Sequence, residues 1–227
     1  MKNFLLSIAI FSLFSFKSFS HVEHYADFNY LEYELFRNNN SIGYHKYNFK
    51  RNGENLSVIS EVNFKITKLG VDLYSYFAKS DENYEKGIFK SYNSITKQNK
   101  KKRYVNINVD PTNGDLIIDG SSYKGKASKN FIVGTWWNHE IIKAKAQISG
   151  ISGRIIEQTV TFIGKEDVII NGKTYKTLHF NFKSSDESLP ESKKLNTDIW
   201  YEENTYLWVK AAFDKTGYWE YRVKEVK

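Results

Sequence analysis

The chain of 227 residues has no cysteine, two prolines and one methionine. Without cysteine, the sequence excludes a disulfide scaffold, a Cys-ligated zinc site, a thiol nucleophile and a lipid-anchored N-terminal cysteine. Beyond the first twenty residues no apolar run nears the roughly 20 residues of a membrane-spanning helix; the run Phe131 to Trp137 has only seven. Stability must therefore come mainly from an apolar core, for which 16 Tyr, 16 Phe and 5 Trp are available.

The first twenty residues have the pattern of a secretory leader. Lys2 supplies a positive charge, Phe4 to Phe16 form an apolar stretch of thirteen residues, and Ser18 to Ser20 give a small-x-small cleavage pattern. Lys17 ends the apolar stretch before it is long enough to span a bilayer. We therefore predict cleavage after about Ser20, a periplasmic location, no transmembrane segment in the mature protein, and a single β-rich domain over residues 21–227.

Strict alternation of apolar and polar residues dominates the rest of the chain and is typical of antiparallel strands with one solvated face. Clusters rich in Asn, Gly and Asp separate the alternating segments, as hairpins require. About ten strands are expected, which is too many for a flat open sheet with protected edges. The predicted fold class is mostly β, a strongly curved antiparallel sheet or barrel. The apolar positions of the clearest segments are Val58, Val62, Phe64 and Ile66; Val105, Ile107 and Val109; Leu178, Phe180 and Phe182; Leu207, Val209, Ala211 and Phe213; and Trp219, Tyr221 and Val223.

Two segments depart from this pattern. Trp137, Ile141, Ala144 and Ile148 recur at helical spacing and are followed by glycine, which predicts one short helix over about 135–148. The segment 184–194 is polar and charged and contains a proline, so we expect a surface loop between two late strands.

The C-terminal half carries a family resemblance. Trp136-Trp137-Asn138, the strand pair around Asn171-Gly172, and Asp198-Ile199-Trp200-Tyr201 follow one another in order, and Asp214 to Tyr221 close the chain. This order resembles an uncharacterised family of exported proteobacterial proteins, catalogued as a domain of unknown function. The resemblance covers about 30–224 and implies a β-rich periplasmic domain similar in shape to the half-barrels that carry lipoproteins. It implies no catalytic residue.

Histidine and carboxylate residues give no reaction-specific pattern. Cleavage after Ser20 would leave His21 at the N-terminus, where an amine-plus-imidazole brace suits copper. The brace needs at least one further histidine, for which only His45, His139 and His179 remain, so copper binding through His21 is a remote alternative. His139 and Glu140 are adjacent and would face different directions on a helix. We predict no catalytic residue, no metal site and no cofactor.

Acidic residues also flank the late aromatic strand. Asp198, Glu202 and Glu203 lie beside Trp200 and Tyr201, an arrangement found in carbohydrate sites. Neighbouring strand residues point to opposite faces, so Glu202 and Glu203 are not a cooperating pair. A hydrolase of envelope glycans or lipids therefore stays a remote alternative.

One dense basic run, Lys97 to Arg103, lies between two strand-like segments, where a charged hairpin tip is expected. Such runs bind nucleic acid through phosphate neutralisation, but export makes nucleic acid an improbable partner. An anionic membrane surface or lipid headgroup is the more plausible target.

The aromatic residues are the most informative functional feature, because they exceed what a slim β core requires. Curved sheets can enclose a cavity for a small ligand. We therefore predict a non-enzymatic protein that binds or carries an apolar ligand, a lipid or acyl chain, in an aromatic-lined concavity. The alternative is an envelope interaction protein that docks a protein partner through exposed aromatics. The predicted ligand-binding residues are Trp136, Trp137, Trp200, Tyr201 and Trp208.

Overall fold

The computed structural model of the protein describes residues 25–227. The predicted leader, His21 and His24 lie outside the described residues. Among the residues described, no helix is long and apolar enough to cross a membrane.

Fifteen strands form a single sheet in the described part of the chain. The strands follow one another almost without interruption, and most are joined by tight hairpins. Their bounds are β1 Tyr30–Arg37, β2 Asn40–Asn52, β3 Asn55–Lys68, β4 Val71–Glu85, β5 Ile88–Gln98, β6 Lys101–Val109, β7 Leu116–Gly120, β8 Lys124–Ala127, β9 Ile132–Val133, β10 Ala146–Ile148, β11 Ile155–Ile170, β12 Lys173–Ser184, β13 Asn196–Glu202, β14 Trp208–Asp214 and β15 Tyr218–Val226.

The sheet order is β8-β7-β6-β5-β4-β3-β2-β1-β15-β14-β13-β12-β11-β10-β9. Every neighbouring pair is antiparallel except β9 with β10. Pairing of β1 with β15 joins the first and last strands of the described residues, and β8 and β9 form the two edges of the sheet. Bulges in β2, β4, β5, β11, β14 and β15 bend the strands, which contributes to the curvature.

The two ends of this curved sheet approach each other without pairing. Residues 149–153, which connect β10 to β11, lie against β5 and against the end of β7. The Ser122 amide donates to the Ser152 carbonyl at 2.9 Å, and the Tyr92 hydroxyl donates to the Gly150 carbonyl at 3.1 Å. The result is a nearly closed, barrel-like sheet whose concave face holds the core.

The predicted fold class is correct in its strand content, antiparallel pairing and curvature, but the expected count of about ten strands is wrong. Two causes explain the difference. β7 to β10 have only two to five residues each, too few for a pattern of alternation. In addition, β4 directs Ser80 and Glu82 toward the core, so its sequence lacks the regular alternation of apolar and polar residues that predicts a strand.

The predicted helix over 135–148 is also wrong. Helical structure in the described residues consists of 3₁₀ turns, one of them at His139–Ile142, and residues 146–148 form β10 instead. Gln158 explains why: its side-chain amide donates to the carbonyls of Ile141 and Ala144, both at 3.0 Å, which an α-helix would have bonded internally. Trp137, Ile141 and Ile148 are buried nevertheless. The loop over 184–194, by contrast, lies on the surface between β12 and β13, as predicted.

Candidate functional site

A cavity of about 240 Å³ lies between the concave face of β2 to β5 and the segment 134–151. Its walls combine aromatic rings with short polar side chains. The side chains that line it include His45, Tyr47, Ser60, Val62, Tyr76, Ala78, Ser80, Tyr92, Ser94, Thr96, Trp136 and Tyr221.

A row of three serines crosses the floor of the cavity. Ser60, Ser80 and Ser94 are direct cross-strand partners on β3, β4 and β5, and all three are buried. The hydroxyls of Ser60 and Ser80 are 3.0 Å apart, and Ser94 donates to the Gly150 carbonyl at 2.5 Å. Gly150 is required here because an added Cβ would lie 2.4 Å from the Tyr92 hydroxyl oxygen.

Two polar groups in the cavity wall have no hydrogen-bond partner. Both ring nitrogens of His45 are buried and unbonded, and so is the hydroxyl oxygen of Thr96. His45 and Thr96 belong to the same cross-strand row, separated by Val62 and Ala78. Most buried polar groups in proteins are paired, so three such atoms in one cavity wall mark a place where a ligand can supply the missing bonds.

His45 is neutral at physiological pH. Burial lowers the pKa of its imidazole from 6.5 to about 3. Aromatic rings surround it, with Tyr47 at 4.3 Å between ring centroids and Tyr221 and Trp208 at about 6 Å. A neutral imidazole offers one N–H donor and one acceptor nitrogen. His45 can therefore hydrogen-bond a neutral polar group but carries no positive charge.

A buried carboxyl group adjoins the cavity. Glu82, 2 % exposed, accepts hydrogen bonds from the Trp137 indole and the Thr135 hydroxyl, both at 3.0 Å, and from the Tyr84 hydroxyl. Burial raises the pKa of the Glu82 carboxyl, and these bonds oppose the rise only in part. Because Thr135 and Trp137 flank Trp136, this network fixes Trp136 against the cavity.

Of the five predicted ligand-binding residues, the structure places only Trp136 in the cavity wall. Trp137, Tyr201 and Trp208 are fully buried in the core, where Trp208 stacks on Tyr33 with ring centroids 4.0 Å apart. Trp200 does not line the cavity. The assignment of these five residues to a ligand stays a prediction.

Sequence reasoning missed the polar residues of the cavity. Their signal is present in β3, β4 and β5, where Ser60, Ser80, Ser94 and Thr96 occupy inward positions of the alternation. Ser60 lies between Val58 and Val62, Ser80 follows Ala78, and Ser94 follows Tyr92 at the same spacing of two residues. His45 likewise precedes the inward Tyr47 on β2. A polar residue on the buried side of a strand is a departure from the expected pattern, and here four adjacent strands share it.

The carboxylates near Trp200 have separate roles. Asp198 and Glu166 bond the two nitrogens of His179 at 2.9 and 3.0 Å, and His179 stacks on Trp200 at 4.2 Å. Glu202 instead accepts bonds from the backbone and side chains of the turn that follows it. The pairing register between the strands brings Asp198, Glu166 and His179 together, and sequence alone does not give that register.

The other residues that the sequence singled out form local contacts outside the cavity. His139 lies 3.4 Å from Glu140 and stacks on Tyr206. Glu203 forms an ion pair with Lys165 at 3.1 Å. The basic run 97–103 forms the β5–β6 hairpin, as expected. In the part of the chain that the structure describes, no group of three His, Asp or Glu side chains is arranged to hold a metal ion.

Comparison with solved structures shows the fold. A crystal structure titled as a β-barrel-like protein of domain of unknown function DUF1849, from Brucella abortus, superposes with a TM-score of 0.59. The likeness covers 87 % of this chain and 96 % of that chain at 11 % sequence identity. A DUF1329 family protein from Desulfovibrio piger covers 91 % of this chain and 89 % of its own at 11 % identity, but its TM-score of 0.26 carries no argument. Among curated proteins no sequence matches.

Comparison with family models identifies the sequence relationship. The model of DUF6134, a domain of unknown function, matches residues 33–224, which include all strands from most of β1 to β15. The expected membership of an uncharacterised β-rich family is confirmed. The chain belongs to the DUF6134 family.

Proposed function

We propose that this protein binds, without transforming it, an apolar ligand that carries one hydrogen-bonding group, such as a short acyl chain or the end of a longer lipid chain. The observation that supports the proposal most strongly is the set of unbonded polar atoms of His45 and Thr96 in a cavity whose serine hydroxyls are bonded and whose wall is rich in aromatic rings.

The size of the cavity limits the ligand. A cavity of roughly 150 Å³ is enough to admit benzene, and drug-sized ligands occupy roughly 300–1,000 Å³. At about 240 Å³ this cavity is between the two. It suits a compact ligand or the terminal part of a chain, rather than a whole lipid.

The chemistry of the walls favours binding over catalysis. The serine hydroxyls are bonded to each other or to a carbonyl, and the His45 nitrogens contact none of them at hydrogen-bond distance. A serine nucleophile needs a base within hydrogen-bond reach. Burial of apolar ligand surface, at about 25 cal/mol per Å², would supply the affinity, and His45 and Thr96 would orient the polar end.

The cellular setting belongs to the same proposal. The leader pattern of residues 1–20 supports export, and with it an envelope lipid as the source of the ligand. Docking of an envelope protein through exposed aromatics, the alternative, has less support, since among the described aromatic residues only Phe162 and Tyr218 are well exposed.

A titration with decanoic acid and decanol, followed by tryptophan fluorescence, tests the proposal. Ala78→Leu adds three carbons inside the cavity and disturbs no hydrogen bond, so it should weaken binding at least tenfold. Ala26→Leu, on an exposed residue, is the matched control and should bind like the wild type. Absence of binding by the wild type, or equal binding by the Ala78→Leu protein, would contradict the proposal.

A further inference from the structure

One hairpin of the sheet extends beyond its neighbours as a free ribbon. Pairing of β2 with β3 reaches only to Phe64, and pairing of β4 with β5 begins at Tyr76. Residues 65–75, here called the apolar ribbon, therefore pair only with each other. At about 3.4 Å per residue, the ribbon projects roughly 15 Å from the sheet.

The ribbon exposes apolar side chains at its tip. Leu69 is 95 % exposed, Val71 61 % and Leu73 56 %. Leu69 also has a φ of 51°, the left-handed region that favours Gly and Asn. The other tight β-hairpin turns described here place Asn, Gly, Lys or Glu at the equivalent positions, as in Asn38-Asn39 and Asn171-Gly172. The turn itself thus gives no reason for a leucine.

The base of the ribbon is held rigidly. Phe64 stacks on Tyr76 with ring centroids 4.8 Å apart, and Trp219 packs edge-on against Phe64 at 5.3 Å. The backbone amide of Asn99 donates to the Ser75 carbonyl at 2.8 Å, and the side-chain oxygen of Asn99 accepts from the backbone amide of Ser75 at 2.7 Å. These bonds fasten the β5–β6 hairpin against the ribbon where it leaves the sheet.

That neighbouring hairpin, residues 97–103, is the basic hairpin of the molecule. It contains Lys97, Lys100, Lys101, Lys102 and Arg103, and the ribbon adds Lys65, Lys68 and one anion, Asp72. The two segments together carry six of the chain's net seven positive charges. Within the described residues, none of the four hairpin lysines forms an ion pair. A group of lysines without ion-pair partners therefore lies beside the base of the apolar ribbon, while Lys65 of the ribbon is paired with Asp72 at 2.8 Å.

We propose that the apolar ribbon and the basic hairpin together dock the protein on an anionic lipid bilayer. Apolar side chains of a surface-bound element enter a bilayer by about 5–10 Å, which the length of the ribbon allows. Lysines at the base would then lie at the level of the headgroups, where each basic residue adds to the attraction. An apolar tip alone would suit many partners, but the concentration of positive charge beside it favours a negatively charged membrane.

The docking surface is independent of the cavity, because no residue of the ribbon between 65 and 75 lines it. Either proposal can fail without the other. The two are nevertheless compatible, since a protein that exchanges an apolar ligand with a membrane needs a way to dock there.

Co-sedimentation with vesicles tests the docking proposal. The purified protein, its N-terminus defined by intact mass, is mixed with vesicles of phosphatidylglycerol and phosphatidylethanolamine, or of phosphatidylcholine alone. The protein should bind the first and not the second, and binding should weaken as salt is added.

Two pairs of variants make the test specific. Leu69→Asn removes the apolar tip while suiting the left-handed φ, so the turn should remain folded. Its control is Ile169→Asn, at a 71 % exposed residue near another hairpin turn. Lys101→Ser with Lys102→Ser reduces the charge of the basic hairpin, and its control is Lys173→Ser with Lys176→Ser at the β11–β12 hairpin.

Each test variant should weaken binding to the anionic vesicles at least tenfold, while each control binds like the wild type. Failure of the wild type to bind anionic vesicles would overturn the proposal, whether or not it binds another polyanion. Binding that survives Leu69→Asn would show attraction by charge alone and would also contradict it.

Discussion

The indole nitrogen of Trp137 lies 3.0 Å from the carboxylate of Glu82, and both side chains are buried. This bond connects the segment after β9 to β4 on the far side of the core, and so determines where Trp136 meets the cavity. It also places a titratable group in the interior without a cation beside it. The consequences for stability can be measured.

The pH dependence of stability should contain a contribution from Glu82. Because burial raises its pKa above the ordinary 4.5, the folded protein binds this proton more tightly than the unfolded chain does. Its contribution to stability is therefore complete below about pH 4 and is lost as the pH rises through the raised pKa. Glu82→Gln cannot titrate, so the free energy of unfolding of the wild type relative to Glu82→Gln should fall as the pH rises from about 4 through the raised pKa.

Urea unfolding of both proteins across this pH range measures the difference. Glu82→Leu is the companion variant, because it leaves the Trp137 indole and the Thr135 hydroxyl without an acceptor and should cost roughly 2–4 kcal/mol. A constant difference between wild type and Glu82→Gln at all pH values would show that Glu82 is ionised alike in both states.

Thr96→Val should stabilise the protein in the absence of ligand. Valine has the shape of threonine and removes a buried hydroxyl that has no partner, so a gain of about 1 kcal/mol is expected. Ser94→Ala is the contrasting control, since its hydroxyl is bonded to the Gly150 carbonyl and its loss should destabilise by about 1 kcal/mol. Thermal or urea unfolding compares the two, and a loss of stability in Thr96→Val would contradict the description of the cavity wall.

Gln158→Leu should be strongly destabilising. The Gln158 amide bonds the carbonyls of Ile141 and Ala144, and its oxygen accepts from Gln147 at 2.6 Å. Leucine leaves the Ala144 carbonyl and the Gln147 amide without this buried partner and removes one of the two hydrogen bonds to the Ile141 carbonyl, at a cost of roughly 2–4 kcal/mol. The exposed neighbour Glu157, changed to Leu, should alter the free energy of unfolding by less than about 0.5 kcal/mol. Equal effects of the two changes would mean that Gln158 does not hold the segment.

Gln158 also shows where sequence reasoning reached its limit. Alternation predicted the strands that are long and regular, such as β3 and β12, because apolar residues recur at most second positions over part of their length, as at Leu178, Phe180 and Phe182. The segment 135–148 has apolar residues at helical spacing, and all but Ala144 of the four are fully buried, but a glutamine from β11 takes the carbonyls that a helix would use. That interaction depends on tertiary structure and leaves no local signal.

The sequence predicted an aromatic-lined concavity but not most of the residues that line it. The abundance of aromatic residues indicated a concavity, and Trp136 does line one. Three of the other four predicted residues form core contacts, because a buried aromatic ring has the same sequence pattern whether it faces a cavity or another side chain. The distinguishing residues are His45 and Thr96, whose unbonded atoms become visible only when the strands are in register.

Native mass spectrometry tests the central claim, that the cavity holds an apolar ligand. The protein should be expressed with its N-terminal segment, purified without detergent, and extracted with organic solvent to recover anything bound. We expect a stoichiometric apolar adduct on the wild type and a much weaker one on Ala78→Leu. A clean mass of the polypeptide alone, unchanged after incubation with envelope lipids, would contradict the claim.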